Sequence, residues 1–338
     1  MKIDLNARVK YFAGRIGAFR PSRVTTFARQ IAREQGKWMP AVAVDMLWSA
    51  AFHDTAFIDY YEADFAALSR RERKTFMTSL VQHHIANRLN DVEVAEILVD
   101  KRRFHRAFGE FTGREWLDLG EADATALEQF AQRHPVLIAK EPISREGKGV
   151  FRYHAEEITD WQVFYDDLVG KGQVLIEEAI IQHPALARYC AGTVNTTRIV
   201  SYFDGEKVHL VSRVQKFGRG AVSDQFTWGG FFTMLDADGK AVGKGHSGKN
   251  NTFYPVHPDS GVSIPDFQVP MWEEVVALVD RAARVLPAVP YVGWDVAVTP
   301  DGPVLIEGNW IPGLYETRVT ATGIRTGSRP EHEAVMTW

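Results

Sequence analysis

The spacing of apolar residues differs between the first hundred residues and the rest of the chain. In the N-terminal part, apolar residues recur at helical spacing, and capping residues stand before several of the apolar runs. Ser69 and Glu72 have the form of a capping box, and Asp91 and Asp100 are typical helix caps. The predicted helices are 40–57, 73–88, one that begins after Asp91, and 101–108, which stops at Gly109. This pattern predicts a mostly helical N-terminal region.

After this region, short apolar runs alternate with turn residues, which is typical of strands. The predicted strands are 136–140, 174–179, 197–203, 208–214, 231–235, 292–299 and 304–307. Two helices interrupt them, at 160–168 and at 271–286, where Pro287 ends the second. Asp204-Gly205 and Asp301-Gly302 each separate two runs and indicate hairpins. Antiparallel hairpins mixed with single helices predict an α+β fold.

The segment 240–270 is rich in Gly, Pro, Asn, Ser and His and is long for a connector, which favours a functional loop. Gly243 to Gly248 also match the dinucleotide-binding pattern GxGxxG. The match follows a turn-rich stretch and does not open a helix, so we interpret it as chance.

Composition and charge exclude several classes of protein. The chain has 338 residues, 39 Lys and Arg against 43 Asp and Glu, and a net charge of −4. This length indicates about two domains, and the balanced charge makes nucleic acid a poor candidate partner. No apolar run is long enough to span a bilayer, and the one cysteine, Cys190, cannot form an internal disulfide. We therefore expect a cytoplasmic protein, and the sequence leaves a homodimer open.

The N-terminal segment 1–37 is locally basic, with nine Lys or Arg against Asp4 and Glu34. It lacks the apolar core of a signal peptide. We interpret it as a solvated amphipathic helix, and a contact with a membrane surface or an acidic polymer is the alternative.

The strand that ends at Lys140 leads into a loop with candidate phosphate-binding groups. The loop begins near Ser144 and carries Gly147 and Gly149. An ammonium beside glycines whose backbone N–H groups can approach an anion is able to hold a triphosphate. A glycine hairpin between two strands fits the residues equally well.

The hairpin near the end of the chain combines two carboxylates with an amide. Asp295 and Glu307 are expected to lie near one another, with Asn309 on the same face as Glu307. Such an oxygen donor set suits Mg²⁺ or Mn²⁺, whereas a solvated polar edge is the alternative.

Further polar residues stand within or at the ends of apolar strands. Glu177 and Glu178 end one strand, and Arg198 and Arg213 interrupt two others. Buried arginines need an anionic partner, which can be a structural carboxylate or a bound phosphate.

In this order, these pieces resemble the ATP-grasp superfamily, and more narrowly its sugar-transfer-associated branch. The segments that carry the narrower resemblance are 99–104, 194–199, 223–225 with the Gly229-Gly230 pair, and 293–309. It extends from about residue 40 to residue 320. Where this branch usually has Asp-Asn before the Gly-Gly pair, the chain has Asp224-Gln225.

The resemblance implies an ATP-grasp fold, in which two α+β lobes clasp ATP, and a role for each candidate residue. It implies a helical region at 1–95, lobes at about 96–180 and 181–330, and a tail at 331–338. Lys101 and Lys140 would contact the phosphates, with Ser144, Gly147 and Gly149 in a flap over them. Glu177 and Ile180 would hold the adenine, and Glu178 or His183 the ribose. Arg213, and on weaker grounds Arg198, would steady the γ-phosphate, while Asp295, Glu307 and Asn309 would bind Mg²⁺.

The activity that the resemblance implies is an ATP-dependent carboxylate-amine ligase. A carboxylate would attack the γ-phosphate, and an amine would displace phosphate from the acyl-phosphate, so that an amide, ADP and phosphate form. The substrates would be a small-molecule carboxylate and an amine, such as amino acids. The alternatives are a kinase of the same fold that phosphorylates a hydroxyl, and a nucleotide-binding module in glycan or natural-product assembly.

Overall fold

The structure, a computed structural model, describes residues 21–144, 147, 149–247 and 252–338. Within these ranges the α-helices are α1 (Pro21–Gln35), α2 (Met39–Phe52), α3 (Phe57–Glu62), α4 (Arg70–Arg73), α5 (Ser79–Leu89), α6 (Val92–Val99), α7 (Lys101–Thr112), α8 (Ala124–Arg133), α9 (Trp161–Gly170), α10 (Pro184–Ala187), α11 (Trp272–Ala283), α12 (Val319–Thr322) and α13 (Arg329–Val335). The strands are β1 (Trp116–Asp118), β2 (Val136–Lys140), β3 (Val150–His154), β4 (Leu175–Glu178), β5 (Thr197–Phe203), β6 (Val208–Phe217), β7 (Phe231–Leu235), β8 (Ala241–Ser247), β9 (Thr252–Tyr254), β10 (Tyr291–Thr299) and β11 (Gly302–Asn309). The predicted α+β class and the helical N-terminal region are confirmed.

Two of the predicted helices are shorter than the apolar spacing indicated. The helix predicted at 40–57 ends at Phe52, because Asp54 adopts a left-handed backbone (φ 55°) that a helix does not accommodate. The capping box of Ser69 and Glu72 is present, but it caps only the short α4. After α4 the chain leaves helical geometry, and the carbonyl oxygen of Thr75 accepts from Arg329 N at 3.0 Å. The helix predicted at 73–88 is therefore present only from Ser79, as α5.

The helix after Asp91 is confirmed, and the helix predicted at 101–108 continues beyond its expected end. It bends at Phe108 and ends only at Gly113, which has φ 55°. A Cβ atom at Gly113 would lie 2.4 Å from Cγ1 of Val304, so glycine is required both by the backbone and by the close approach of β11.

The strands form two antiparallel sheets. The small sheet has the order β1-β4-β2-β3, and the large sheet has the order β11-β10-β5-β6-β7-β8-β9. Strand β3 pairs antiparallel with β2, as the alternative of a glycine hairpin between two strands requires. The predicted strands did not include β1, β8 or β9. The last two lie inside the segment 240–270, which is therefore part of the large sheet and not a bare connector. Gly243 and Gly245 of the set-aside GxGxxG match are in β8, whereas Gly248 to Asn251 lie outside the described residues.

Helices cover both faces of the large sheet and one face of the small one. Successive strand residues point to opposite faces, so Ile199 and Val200 enter different cores. Ile199 packs in a core with residues of α6, α7 and α11, and Val200 in a core with residues of α5 and the C-terminal tail. The small sheet packs on α8 and α9. The helices α1, α2 and α3 pack around an apolar core of their own. In the described ranges, no helix is both long and apolar enough to cross a membrane.

Asn90 joins the helical region to the hairpin of β10 and β11. Its amide nitrogen donates to the carbonyl oxygens of Tyr291 (2.8 Å) and Trp310 (2.9 Å), and its amide oxygen accepts from Tyr291 N at 3.0 Å. The side chain is buried, so water cannot replace these bonds.

We expect Asn90→Ala to lower the free energy of unfolding by about 3 kcal/mol, because it leaves three buried backbone groups without a partner. Asn87→Ala is the matched control, since Asn87 is exposed and donates only to the carbonyl oxygen of His83 in its own helix. Urea unfolding of both variants measures the difference, and equal midpoints would contradict the role of Asn90.

Candidate functional site

A cleft lies between the two sheets, with an empty volume of ≈900 Å³ that includes the open solvent at its mouth. Its walls come from β2, β3 and β4 of the small sheet and from β6, β10 and β11 of the large sheet. The predicted site residues that line it are Lys101, Lys140, Ser144, Gly147, Glu177, Glu178, Ile180, Asp295 and Glu307. The structure thus brings most of the candidate residues together.

The buried carboxylate of Glu177 is the centre of the small-sheet wall. Its Oε2 lies 2.6 Å from Lys140 Nζ and 2.9 Å from Arg114 Nε, and its Oε1 lies 2.9 Å from His105 Nε2. Burial by itself raises the pKa of the Glu177 carboxyl, but the Arg114 guanidinium and the Lys140 ammonium hold it well below its usual range. Glu177 therefore remains an anion and fixes the position of Lys140.

Arg114 connects this wall to the large sheet. Besides its bond to Glu177, it donates from Nη1 to the carbonyl oxygen of Leu305 in β11 at 2.7 Å. Gly113, directly before it, turns the chain so that the guanidinium reaches both sheets. The two walls of the cleft are therefore joined through one buried side chain.

Lys101, the first residue of α7, is held against the loop that follows β2. Its Nζ donates to the carbonyl oxygen and the hydroxyl of Ser144, both at 3.1 Å. Burial lowers the pKa of the Lys101 ammonium, and the nearby Glu307 carboxylate opposes this shift. The ammonium is partly desolvated, which strengthens its attraction for a further anion in the cleft.

The glycines of the loop adopt backbones that other residues rarely adopt. Gly147 has φ 68° and Gly149 has φ 70°. A Cβ atom at Gly147 would lie 2.7 Å from the hydroxyl of Ser223, which belongs to the opposite wall. The loop therefore crosses the cleft at Gly147, whereas Gly149 contacts Glu141, whose N donates to the Gly149 carbonyl oxygen at 3.1 Å.

Asp295 is the centre of the large-sheet wall. Arg198 donates to both of its oxygens, from Nε at 2.6 Å and from Nη2 at 2.8 Å, and Lys216 Nζ lies 3.1 Å from Oδ1. Burial raises the pKa of the Asp295 carboxyl, but the Arg198 and Lys216 cations lower it to about 2. Asp295 is therefore charged at any physiological pH.

Lys216 also contacts a second buried carboxylate, Asp224. The distance from Lys216 Nζ to Asp224 Oδ1 is 3.4 Å, and Asp224 accepts from Thr196 through both the backbone nitrogen and the hydroxyl. Burial lowers the pKa of the Lys216 ammonium, but Asp224 and Asp295 together raise it above its usual value. Asp224 therefore lines the cleft. The residue after it is Gln225, where the sugar-transfer-associated branch usually has Asn.

The hairpin that was expected to bring Asp295 and Glu307 together is confirmed. The two residues are direct partners in the register of β10 and β11. Asn309 Nδ2 donates to Glu307 Oε1 at 3.1 Å, so the amide lies against the second carboxylate. Two carboxylates and an amide at one strand edge are donors that fit Mg²⁺ or Mn²⁺. In the described part of the chain, no group of three or more His, Cys, Asp or Glu side chains is arranged around one point.

Several predicted site residues lie away from the cleft walls. Of the described residues, those that line the cleft do not include Arg198, Arg213, His183, Gly149 or Asn309. Arg198 and Asn309 contact lining residues, as described above. Arg213 instead donates to the carbonyl oxygen of Leu210 and lies 3.7 Å from Glu331 of α13. His183 caps α10, where its Nδ1 accepts from Ala185 N at 3.1 Å.

Four further residues of the site were not predicted from the sequence. Lys216 lies two residues beyond the predicted end of the strand at 208–214, and Arg114 follows a glycine that ends a helix. His105 is four residues after Lys101 and so lies on the same face of α7. Arg152 lines the cleft from β3.

Comparisons with solved structures give remote similarities. One is the ATP-grasp ligase PsnB complexed with a phosphomimetic variant of its minimal precursor, Mg and ADP, with 12% identity, 78% of this chain and 68% of that chain covered, and a TM-score of 0.42. Another is D-alanine–D-alanine ligase from Bacillus anthracis, with 15% identity, 75% and 69% covered, and a TM-score of 0.40. A third is D-cycloserine synthetase DcsG, with 14% identity, 70% of each chain covered and a TM-score of 0.39. No curated protein matches the sequence.

The comparison with protein families gives a direct assignment. The model of the family described as sugar-transfer associated ATP-grasp matches residues 157–327, about half of the 338 residues. The matched range includes Glu177, Lys216, Asp224, Asp295 and Glu307. The chain therefore belongs to the sugar-transfer associated ATP-grasp family and has the ATP-grasp fold that its sequence led us to expect.

Proposed function

We propose that the protein is an ATP-dependent ligase that joins a carboxylate to an amine through an acyl-phosphate. The observation that carries the proposal is one cleft whose lining combines three lysines with the Asp295 and Glu307 carboxylates. Lys101 and Lys140 come from one wall and Lys216 from the other. A nucleoside triphosphate needs cations on several sides together with carboxylates for a divalent cation.

The nucleotide would lie between the lobes at 96–180 and 181–330. Lys101 and Lys140 would contact its phosphates, and Ser144, Gly147 and Gly149 would form the flap. We propose that Glu177, whose Oε2 lies 2.6 Å from Lys140 Nζ, positions that lysine, and that the backbone of Ile180 contacts the adenine. For the ribose, Glu178 lines the cleft and is favoured over His183, whose Nδ1 caps a helix.

The cations that neutralise the γ-phosphate would be Lys216 and Arg198. Both contact Asp295, and Lys216 lines the cleft. Arg213, to which the resemblance gave this role, contacts Glu331 instead. We therefore propose Lys216 in place of Arg213.

The metal would be held by Asp295, Glu307 and Asn309. Bound there, Mg²⁺ would supply a positive charge that stabilises the phosphates during transfer. Arg198 and Lys216 hold the Asp295 carboxylate in one orientation, so that this ligand is fixed before any metal binds.

The proposed reaction has two steps. A carboxylate oxygen of the first substrate attacks the γ-phosphorus of ATP, and the bond from that phosphorus to ADP breaks. An amine nitrogen then attacks the carbonyl carbon of the acyl-phosphate, the bond to the phosphate oxygen breaks, and the amine loses a proton. The loop at Gly147, which crosses the cleft, would exclude water that otherwise hydrolyses the acyl-phosphate.

The full-length protein with ATP, Mg²⁺ and pools of carboxylates and amines should release ADP and phosphate in equal amounts with one amide product, detected by mass spectrometry. A phosphorylated acceptor without free phosphate would identify a kinase instead. ATP binding without turnover on any pair would favour a nucleotide-binding module.

Lys140→Met should weaken ATP binding about tenfold or more, because a buried charge-assisted contact to a phosphate is lost. Isothermal titration calorimetry measures the affinity. Lys171→Met is the matched control, since Lys171 is exposed and pairs with Asp167. An unchanged affinity in folded Lys140→Met would contradict the phosphate contact.

Glu307→Gln should reduce Mg²⁺-dependent turnover at least about a hundredfold while ATP still binds, because an anionic metal ligand is replaced by a neutral one. Raising the Mg²⁺ concentration should recover part of the rate. Glu273→Gln, at an exposed position of α11, is the control. Turnover that is equal in both variants would show that Glu307 is not a metal ligand.

A further inference from the structure

The outer face of α2 is apolar and exposed. Val44, Leu47, Trp48 and Phe52 occupy it at helical spacing, and Trp38 stands just before the helix. Trp38 is 74% exposed, Val44 66%, Phe52 57%, and Leu47 and Trp48 47% each. These five residues define the α2 face. The opposite side of the helix, with Val42 and Met46, packs in the core of the helical region.

The α2 face carries no charge of its own. The one charged residue of the helix, Asp45, has a side chain that is 38% exposed, and its charge is compensated by Arg73 at 2.7 Å. Contiguous exposed apolar clusters of this kind mark interaction sites, whereas apolar residues that are exposed singly do not.

Cations stand at both ends of the α2 face. Lys37 precedes the helix, and Arg70, Arg71 and Lys74 are exposed on or next to α4. At the C-terminal end of α2, burial lowers the pKa of His53, and the nearby Lys74 and Arg70 charges lower it further. Glu72, the acidic residue within this basic group, is engaged by Arg325.

This distribution of charge determines which kind of binding partner fits the α2 face. Packing α2 against a second copy of itself would bring cations together in either orientation of the helices, which is unfavourable. The segment 1–20 is also basic, with five Lys or Arg against Asp4, so it is repelled by the same cations. An anionic surface that accepts apolar side chains is complementary to both features.

We propose that the α2 face docks on an anionic lipid surface. Trp38, Trp48 and Phe52 would enter the boundary between headgroups and acyl chains, where aromatic side chains are favoured. Lys37, Arg70 and Lys74 would contact the lipid phosphates, each adding a modest attraction. This inference does not depend on the proposed ligase activity.

Vesicle flotation with the full-length protein tests the proposal. We expect the protein to float with vesicles of phosphatidylcholine mixed with phosphatidylglycerol, to bind less to phosphatidylcholine alone, and to lose binding as salt increases. The double variant Trp48→Ser with Phe52→Ser should bind at least about tenfold more weakly, because the loss of each aromatic ring removes buried apolar area.

The control is Val163→Ser with Val169→Ser, which changes two exposed apolar residues of α9, a helix that packs on the small sheet. It should bind vesicles as the unchanged protein does, and thermal unfolding verifies that both double variants are folded. Absence of binding by the unchanged protein, or equal binding by the Trp48 and Phe52 variant, would overturn the proposal. So would light scattering that shows a dimer which this variant converts to a monomer.

Discussion

The buried charge of Glu177 is the interaction on which the geometry of the cleft depends. A carboxylate out of water costs several kcal/mol unless cations compensate it, and here Lys140 and Arg114 do so, while His105 Nε2 lies 2.9 Å from its Oε1. Because Arg114 also donates to the carbonyl oxygen of Leu305, the anion ties β4 of the small sheet to β11 of the large one. The width of the cleft at this point is set by directional bonds and not only by apolar packing.

The large-sheet wall repeats this arrangement around Asp295. There two cations and two carboxylates balance one another, since Arg198 and Lys216 face Asp295 and Asp224. Cations held in place by buried anions lose little freedom when a phosphate arrives, so that their electrostatic contribution requires little reorganisation. Both walls therefore present oriented cations to the space between them, and the proposed binding of a nucleotide rests on this feature.

The sequence was sufficient to predict those turns and helix starts that local interactions determine. The turn at Asp301-Gly302 was enough to predict the hairpin of β10 and β11, whereas the direct pairing of Asp295 with Glu307 also depends on a register shift between Asp295 and Val296 that the turn does not indicate. Asp91 and Asp100 marked helix starts because a carboxylate there accepts from backbone N–H groups. The sequence was insufficient where contacts with distant segments determine the local secondary structure. The helix expected at 73–88 begins only at Ser79, because the carbonyl oxygen of Thr75 accepts from Arg329 N of the distant tail. Strands β8 and β9 form because an edge of the large sheet accepts a Gly-rich segment that has no strand pattern of its own.

Within the single strand β6, the sequence was likewise insufficient to choose between Arg213 and Lys216 as the cation proposed for the γ-phosphate. Residue type alone favours Arg213, because arginine commonly binds phosphate. A strand pattern does not tell which face of the strand borders the cleft. Residues three apart in a strand point to opposite faces, so these two cannot both face Asp295. The register of the strands determines which of the two cations faces Asp295. Val214 pairs with Arg198, and Arg198 pairs with Asp295. Lys216 is two residues beyond Val214 and therefore points to the same face. A cation's role in this site therefore follows from strand pairing, which is a property of the folded sheet.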